Sequence, residues 1–341
     1  MSERLPMAKA INLGLRRALE RDDKVMIMGE DVGALGGVFR VTDTLQKDFG
    51  PDRVVDTPLA ESGIVGTAIG LAFAGYRPVC EIQFDGFIFP AFDQITTQLA
   101  KLHYRSGGRV QVPVVIRVPY AGGIGAIEHH SESPEALFAH TAGLRVISPA
   151  TASDAFTMIQ QAIASPDPVL FLEPKARYWD KEDVDVDADD HALGLTLGPE
   201  GLAPGFDGLQ RARVRRTGTD VTVVGYGPTV RTALTAAGVA QQEGHSVEVI
   251  DLRSISPLDV DTVAASVDKT GRLIVAHEAP TFFGPGAELA AAISERCFYS
   301  LESPVLRVGG FHTPYPVANI EEEYLPNLDR VLDAIDSALA Y

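Results

Sequence analysis

The chain has 341 residues, of which 45% are apolar and 22% are charged, a composition typical of a globular protein of about two domains. This composition excludes the disordered and fibrous classes, and a net charge of −17 disfavours nucleic acid and membrane surfaces as partners. The longest nearly apolar run, Ile64 to Tyr76, has 13 residues, fewer than the about 20 needed to span a bilayer.

The first ten residues contain no basic segment followed by an apolar run and no arginine-rich amphipathic stretch. We therefore expect a cytoplasmic protein, or a protein of the mitochondrial matrix after processing if the source is eukaryotic. The two cysteines, Cys80 and Cys297, lie far apart in apolar surroundings. They are expected to be buried, reduced thiols, because neither has the neighbours that a metal site requires.

Short runs of β-branched and aliphatic residues alternate with helical patterns along the chain, which predicts an α/β protein with mostly parallel sheets flanked by helices. The predicted strands are Val25–Met28, Val79–Ile82, Val112–Val118, Leu144–Ile147, Val169–Leu172, Val221–Val224, Val247–Ile250, Leu273–Ala276 and Val305–Val308.

An acidic run that leads into a Gly/Pro-rich stretch divides the chain into two domains. We predict a first domain at 1–180, a linker at 181–208 and a second domain at 209–341. The acidic run lacks the central glycine and the terminal glutamate of a calcium loop, which favours a solvated linker.

The second domain begins with the strand, turn, helix and strand of a dinucleotide-binding unit, with a Gly-Tyr-Gly turn at 225–227 and Asp251 after the second strand. Val230 replaces the third glycine of that fingerprint, and Pro228 removes one N–H group from the turn. A tight turn without a ligand is the favoured interpretation. An NAD-dependent oxidoreductase built on residues 221–251 remains an alternative.

The most informative stretch of the first domain is DTPLAESGIVGTAIGLAFAG at 56–75. Thr57 followed by Pro58 predicts a helix N-cap and first helical residue. Glu61 falls in the first turn, where the helix dipole stabilises a carboxylate by about 0.3–1 kcal/mol, so a purely structural role stays open. Three glycines share one face of this helix, against which another helix or a ligand can pack: Gly63, Gly66 and Gly70.

Longer motifs follow one another through nearly the whole chain: GEDVGALGGVFRVT (29–42), DTPLAESGIVGTAIG (56–70), RPVCEIQF (77–84), FPAFDQI (89–95), YRSGG (104–108), HSESPEALFAH (130–140), DPVLFLEPK (167–175), EVIDLRSISPLD (248–259), KTGRLIVAHEAP (269–280) and HTPYP (312–316). Together they resemble the beta subunit of the thiamine-diphosphate-dependent first component of 2-oxo acid dehydrogenase complexes. The resemblance implies a transketolase-like pyrimidine-binding domain followed by a transketolase C-terminal-like domain. It also implies decarboxylation of a 2-oxo acid with reductive acylation of a lipoyl group.

The resemblance implies a role for several residues at the aminopyrimidine end of thiamine diphosphate. Glu61 is implied as the carboxylate that hydrogen-bonds the aminopyrimidine ring, with the backbone near Leu59 and the side chain of Gln83 lining the same pocket. Phe87 stands where relatives often carry a tyrosine that stacks on this ring, so stacking is expected without the hydroxyl.

His130 is implied at the substrate carboxylate and in proton transfer to lipoamide. Glu132 occupies a position where the family usually has glutamine, which places a carboxyl group near the same loop. The adjacent His129 could suggest a metal site, but neighbouring side chains rarely converge on one ion and no further ligands are spaced nearby.

Relatives often hold a structural potassium ion through backbone carbonyl groups. The matching positions are Val112, Val114, Val115, Ala162, Ser165 and Asp167.

The chain lacks the GDG segment and downstream asparagine with which the family's alpha chain holds the diphosphate and Mg²⁺. The resemblance therefore implies an α2β2 heterotetramer with a separate alpha subunit, and docking on a lipoyl-bearing dihydrolipoamide acyltransferase core. The motifs favour a branched-chain 2-oxo acid as substrate, with pyruvate as the alternative. A non-catalytic scaffold subunit is a further alternative, which the presence of Glu61 and His130 disfavours.

Overall fold

The computed structural model describes residues 2–195 and 205–341. The strands are β1 (Ser2–Pro6), β2 (Val25–Gly29), β3 (Val54–Asp56), β4 (Arg77–Glu81), β5 (Val115–Tyr120), β6 (Arg145–Ile147), β7 (Val169–Pro174), β8 (Lys181–Asp185), β9 (Arg213–Arg216), β10 (Val221–Gly225), β11 (Val247–Asp251), β12 (Ser254–Ser256), β13 (Leu273–Pro280) and β14 (Leu306–Gly310). The helices are α1 (Met7–Arg21), α2 (Leu45–Phe49), α3 (Glu61–Phe73), α4 (Ala100–Arg105), α5 (Glu135–Ala139), α6 (Ala152–Ala164), α7 (Gly205–Gln210), α8 (Thr229–Gln242), α9 (Val260–Thr270), α10 (Pro285–Arg296), α11 (Glu321–Tyr324) and α12 (Leu328–Leu339). A π-helical segment, Gln94–Leu99, precedes α4.

The larger sheet has seven strands in the order β12-β6-β7-β5-β4-β2-β3. All neighbours are parallel except β12, which runs antiparallel to β6. Every residue of β5 and β7 is buried, as expected for parallel strands covered on both faces by helices. Helices α1 and α6 cover one face, and α3 packs on the other.

The smaller sheet has five strands in the order β14-β13-β10-β11-β9, with only β9 antiparallel. Alanines of α8, such as Ala233 and Ala236, pack against it together with Val331 and Ile335 of α12. All nine strands predicted from the sequence are confirmed, and so is the α/β class. The strand predicted from Val112 begins later, at Val115, because Pro113 has no N–H group to donate to a neighbouring strand.

The two sheets are joined by more than the chain between them. Strand β12 comes from the C-terminal half of the chain, yet it pairs with β6 at the edge of the larger sheet. One apolar cluster also runs through both halves and includes Ile116 of β5 together with Ile250 of β11 and Val275 of β13. The halves therefore share a continuous core.

The segment expected to be a solvated linker is ordered at its start. Strand β8 pairs antiparallel with β1, and Val184 in its centre is completely buried. Within β8, Val184 is buried between the exposed Asp183 and Asp185, so these acidic side chains form the outer face of the strand. Leu193 and Leu195 also belong to the core that surrounds α6. Residues 196–204 of the expected linker lie outside the described part. None of the described helices is both long and apolar enough to cross a membrane.

Candidate active site

The candidate residues gather at the carboxyl ends of the central parallel strands, which is where open α/β sheets bind ligands. Glu30 and Asp31 directly follow β2, and Gln83 follows β4 by two residues. His130 lies in a short helical turn, Glu128–His130, on the loop after β5. Glu61 is the first residue of α3, which follows the neighbouring edge strand β3.

The start of α3 differs from the sequence prediction. The helix begins at Glu61 with Ala60 as its N-cap residue and has no side-chain cap, so the cap predicted at Thr57 and Pro58 is wrong. The reason is that the N–H group of Thr57 donates to the Gly29 carbonyl (2.9 Å), which ties this residue to the end of the sheet. The Thr57 hydroxyl is buried and has no partner among the described residues.

Glu61 forms an acidic cluster with the residues that follow β2. Its side chain is nearly buried (8% exposed), and no described residue donates a hydrogen bond to its carboxylate. Burial raises the pKa of the Glu30 carboxyl, and the nearby charges of Glu61 and Asp31 raise it further. The Gln83 amide donates to Asp31 Oδ2 at 3.3 Å. The structure thus brings Glu61 and Gln83 to the same acidic cluster.

A cluster of aromatic rings surrounds His130. The imidazole ring lies 4.1 Å from the ring of Phe84 and 5.3 Å from that of Phe87, measured between centroids. Its Nδ1 atom is buried without a partner among the described residues. The backbone of His129 passes so close to Gly86 that a Cβ atom there would lie 2.7 Å from the His129 carbonyl oxygen. Gly86 is therefore needed for the two loops to meet.

A buried ion pair fixes the same two loops. Asp85 and Lys175 have almost no exposed surface, and Lys175 Nζ lies 2.9 Å from Asp85 Oδ1. The second oxygen of Asp85 accepts a hydrogen bond from the Glu132 N–H group at 2.8 Å. Burial raises the pKa of Asp85 and lowers that of Lys175 despite their attraction. The sequence analysis missed Phe84 and this pair, although a lone aspartate inside the apolar run EIQFDGFIF was a visible signal.

A second buried ionic network lies behind the site, in the sheet itself. Arg117 of β5 bonds Glu81 of β4 (2.7 Å) and makes two hydrogen bonds to Glu173 of β7 (2.7 and 3.0 Å). The Tyr178 hydroxyl donates to the same Glu173 carboxylate at 2.6 Å. This network joins three strands just before their carboxyl ends and therefore fixes the loops that carry the candidate residues.

Other predicted site residues lie at the periphery. Leu59 is 78% exposed. His129 is exposed, and the described residues contain no group of three His, Cys, Asp or Glu side chains that could hold a metal ion. Burial, Asp85 and Glu128 raise the pKa of Glu132.

The glycine face of α3 is not covered by the described residues. A Cβ atom at Gly66 or Gly70 would have no heavy atom within 4 Å, and at Gly63 it would touch only Ala60. No described element of the chain uses the close approach that these glycines permit. The uncovered face follows directly after Glu61 along the same helix.

The six predicted potassium positions lie in two neighbouring segments, since the Val112 N–H group donates to the carbonyl of Pro166 at 3.1 Å. At least five of their carbonyl oxygens already accept one hydrogen bond each: those of Val112, Val114, Ala162, Ser165 and Asp167. A carbonyl oxygen has two lone pairs, so each keeps one acceptor position. The arrangement permits a cation without requiring one.

The strand–helix–strand unit predicted at 221–251 is confirmed, but its turn has no room for a dinucleotide. Gly227 has a φ of +51°, and a Cβ atom there would lie 2.6 Å from Ser148 Oγ and would also meet the Tyr120 hydroxyl. The acidic residue of the fingerprint, Asp251, is fully buried, and its Oδ1 accepts a hydrogen bond from the Arg253 N–H group. The other half of the chain thus fills the place of a pyrophosphate.

Comparison with known proteins agrees with this architecture. The family described as transketolase, pyrimidine binding domain, matches residues 3–180, and that described as transketolase, C-terminal domain, matches 210–331. A solved split-gene transketolase, an inactive beta4 tetramer, has the same fold with a TM-score of 0.77 at 24% identity over 99% of both chains.

Curated relatives identify the enzyme family within these two transketolase domain families. Pyruvate dehydrogenase E1 component subunit beta of Leifsonia xyli subsp. xyli is 59% identical over 337 residues, which cover 99% of this chain and 95% of the relative. The 3-methyl-2-oxobutanoate dehydrogenase subunit beta of Mycobacterium tuberculosis is 52% identical over 340 residues, which cover 99% and 93%. A pyruvate dehydrogenase E1 component subunit beta of Staphylococcus epidermidis is 42% identical over 99% of both chains. The resemblance found in the sequence motifs is confirmed: the chain belongs to the beta subunits of the E1 component of 2-oxo acid dehydrogenases.

Proposed function

We propose that this chain supplies the aminopyrimidine end of a thiamine diphosphate site, in an enzyme that decarboxylates a 2-oxo acid and transfers the acyl group to lipoamide. The observation that carries the proposal is the Glu61 carboxylate, which is nearly buried and receives no hydrogen bond from the described residues. The carboxylate can therefore accept a hydrogen bond from a partner outside the chain. A protonated or N–H-bearing heterocycle is such a partner.

The residues around Glu61 fit an aromatic heterocycle. Glu61 would accept its hydrogen bond, and the rings of Phe84 and Phe87, which contact each other edge to face, offer apolar faces from the segment after β4. Gln83 adds an amide at the same acidic cluster, and the exposed backbone near Leu59 adds polar groups at the rim. When bound, thiamine diphosphate supplies the electron sink for cleavage of the bond between the carboxylate and carbonyl carbons.

His130 is proposed to bind the substrate carboxylate and to transfer a proton during acylation of lipoamide. Its ring is fixed by Phe84 and Phe87, and its buried Nδ1 has no partner among the described residues. A histidine that is oriented by packing can exchange a proton with a bound substrate through its other ring nitrogen, Nε2. Lipoamide is proposed as the acyl acceptor on this basis and on the family membership.

The diphosphate and Mg²⁺ are proposed to be held mainly by an alpha subunit. The cluster of Glu30, Asp31 and Glu61 would repel a diphosphate, and the described residues offer no metal-ligating group of three acidic, His or Cys side chains. The uncovered glycine face of α3 beside Glu61 gives an alpha subunit a surface to approach. We infer an α2β2 heterotetramer in the cytoplasm, whose beta C-terminal domain docks on a lipoyl-bearing dihydrolipoamide acyltransferase core.

A branched-chain 2-oxo acid is the proposed substrate because of the motifs HSESPEALFAH and FLEPK, and pyruvate is the alternative. The relatives at 59% and 52% identity are named after one substrate of each kind. The relative kcat/KM for the two substrates in the assembled enzyme decides between them. An NAD-dependent activity is disfavoured because Ser148 and Tyr120 fill the place of a pyrophosphate at Gly227.

Potassium at the carbonyl groups of 112–115 and 162–167 is also proposed. If K⁺ binds the folded state and not the unfolded state, mass action stabilises the folded chain. We therefore expect a higher Tm in KCl than in NaCl of equal ionic strength. Equal Tm values in the two salts would remove this proposal without affecting the others.

The proposed function is tested by co-expressing the chain with its alpha subunit and measuring 2-oxo acid turnover with thiamine diphosphate and Mg²⁺. Glu61→Gln is expected to lower turnover by at least about 100-fold, because the hydrogen-bonded carboxylate takes part in proton transfer. Glu20→Gln, which removes the same charge from the exposed face of α1, is the control and is expected to act like the wild type. Normal turnover in Glu61→Gln, or no turnover of any 2-oxo acid by the wild type, would refute the proposal.

A further inference from the structure

The segment 121–135, which links β5 to α5, carries His130 at its centre and is held by the C-terminal half of the chain. It begins with three residues of positive φ: Ala121 (+70°), Gly123 (+86°) and Gly125 (+70°). Successive backbone N–H groups in such a conformation point to one side and form a concave site for an anion. The mechanism proposed above makes no use of this concave site.

A carboxylate from the C-terminal half occupies the concave site. Glu321, the first residue of α11, accepts hydrogen bonds from the N–H groups of Gly123 (3.0 Å) and Gly125 (3.1 Å). The Tyr315 hydroxyl donates to the same carboxylate at 2.7 Å. Hydrogen bonds to an ionised acceptor are about twice as strong as neutral ones, so Glu321 is a firm tether for this loop.

A second carboxylate from the C-terminal half also binds this loop. Glu278, at 9% exposure, accepts a hydrogen bond from the N–H group of Gly122 at 2.8 Å. Gly122 is itself packed so closely against Tyr315 that a Cβ atom there would overlap the hydroxyl oxygen of this tyrosine. Three glycines of the loop, Gly122, Gly123 and Gly125, are therefore attached to β13 or to the segment 315–321, both from the C-terminal half.

The other end of the segment has its own attachment. Glu135, the first residue of α5, is completely buried, and its Oε1 accepts a hydrogen bond from the hydroxyl of Tyr226 at 2.7 Å. Tyr226 directly follows β10 in the smaller sheet. His130 thus lies five residues after one attachment, at Gly125, and five residues before the other, at Glu135.

We propose that the C-terminal half positions His130 for lipoamide acylation by tethering both ends of its loop, through Glu321 at the start and Tyr226 at the end. Glu321 is a positioning residue, since it reaches His130 only through the backbone of Gly123 and Gly125. This inference rests on the role proposed above for His130. It extends the active site to a residue almost 200 positions away in the sequence.

The test compares Glu321→Ala with Glu322→Ala in the enzyme assembled with its alpha subunit. Glu322 lies on the same short helix, and its side chain is exposed with no partner among the described residues, so this control removes an equal charge. Two rates are measured: reduction of an artificial dye by the 2-oxo acid, which needs no lipoyl group, and acylation of free lipoamide. A displacement of about 1 Å at a catalytic group costs up to about 100-fold. We expect Glu321→Ala to lower lipoamide acylation by about 10- to 100-fold and dye reduction by less, with a higher KM for the 2-oxo acid because His130 also binds its carboxylate, while Glu322→Ala changes neither rate.

Glu321→Gln should lie between the wild type and Glu321→Ala, because the amide oxygen accepts one N–H group while its NH₂ group faces the other. Amide hydrogen exchange gives a readout that needs no activity, and exchange across 121–130 should be faster in Glu321→Ala only. Equal losses of dye reduction and acylation, or unchanged exchange in Glu321→Ala, would overturn the positioning role. A wild-type enzyme without 2-oxo acid activity would instead count against the proposed function, while the exchange data would still decide whether the tether exists.

Discussion

Gly86 is a point near the candidate site at which the chain has little tolerance for an added methyl group. A Cβ atom at this position would lie 2.7 Å from both the Cβ and the carbonyl oxygen of His129. Ordinary van der Waals contact begins at 3.4 Å, so Gly86→Ala must displace the His129 backbone by about 0.7 Å. The displaced atoms are backbone rather than the end of a flexible side chain, so the loop has to move as a whole.

The displacement reaches His130 directly, because it is the next residue. A misplacement of about 1 Å at a catalytic group costs about 100-fold in rate, so a shift of about 0.7 Å is expected to lower lipoamide acylation by about 10- to 50-fold. The extra volume in a packed region costs about 1–3 kcal/mol of unfolding free energy. Both effects are measurable on one purified variant, by steady-state acylation and by urea denaturation.

Gly238→Ala is the matched control. Gly238 lies inside α8, and a Cβ atom there would meet nothing within 4 Å, so the variant should gain about 0.5–1 kcal/mol in stability with unchanged acylation. The reasoning fails if Gly86→Ala keeps wild-type acylation and loses less than about 1 kcal/mol. That result would show that the loop at His129 can move without disturbing His130.

Three further expectations concern stability and assembly. Arg117→Met leaves two buried carboxylates without their cation and should lower the unfolding free energy by about 3–5 kcal/mol in urea denaturation; a loss of less than about 1 kcal/mol would contradict this reasoning. Gly66→Ala should stabilise the isolated chain by about 0.5–1 kcal/mol but weaken copurification with the alpha subunit, and undiminished copurification would exclude this face as the contact. Burial raises the pKa of Glu135 to about 7 from 4.5, so the folded state keeps a proton that the unfolded state releases between these values. The stabilisation from this bound proton is complete below pH 4.5 and is lost as pH rises through 7. Over this range the unfolding free energy falls by at most about 1.4 kcal/mol per pH unit. Glu135→Gln should therefore make the unfolding free energy less dependent on pH between these limits.

The central strands were predictable because buried parallel strands are continuous apolar runs, as in β5 and β7. The short or peripheral strands β1, β3, β8, β9 and β12 were not, since their sequences are polar or only three to five residues long. The acidic strand β8 was read as a linker because its pairing with β1 depends on a partner almost 180 residues away. Local sequence carries no signal of such a pairing.

The candidate site, like the strands, was predictable only in part. Glu61, Gln83 and His130 stand in motifs and Phe87 lies between two of them, so all four could be named from the sequence, although their roles remain predictions. The residues that hold them in place could not be named from the sequence, because only the fold brings the partners together: Asp85 with Lys175, Arg117 with Glu173, and Gly123 with Glu321. The false cap at Thr57 has the same origin, since its N–H group is engaged by Gly29 across the sheet.

Strand β12 has a consequence for how the chain is made and divided. It covers the β6 edge of the larger sheet, and an uncovered edge is a template for pairing with another chain. During synthesis the first 180 residues leave the ribosome before residues 254–256 exist, so this edge stays open until about three quarters of the chain has been translated. A fragment cut within 196–204 would keep the edge open permanently. The two halves are therefore a poor choice for separate expression, even though each contains a sheet of its own.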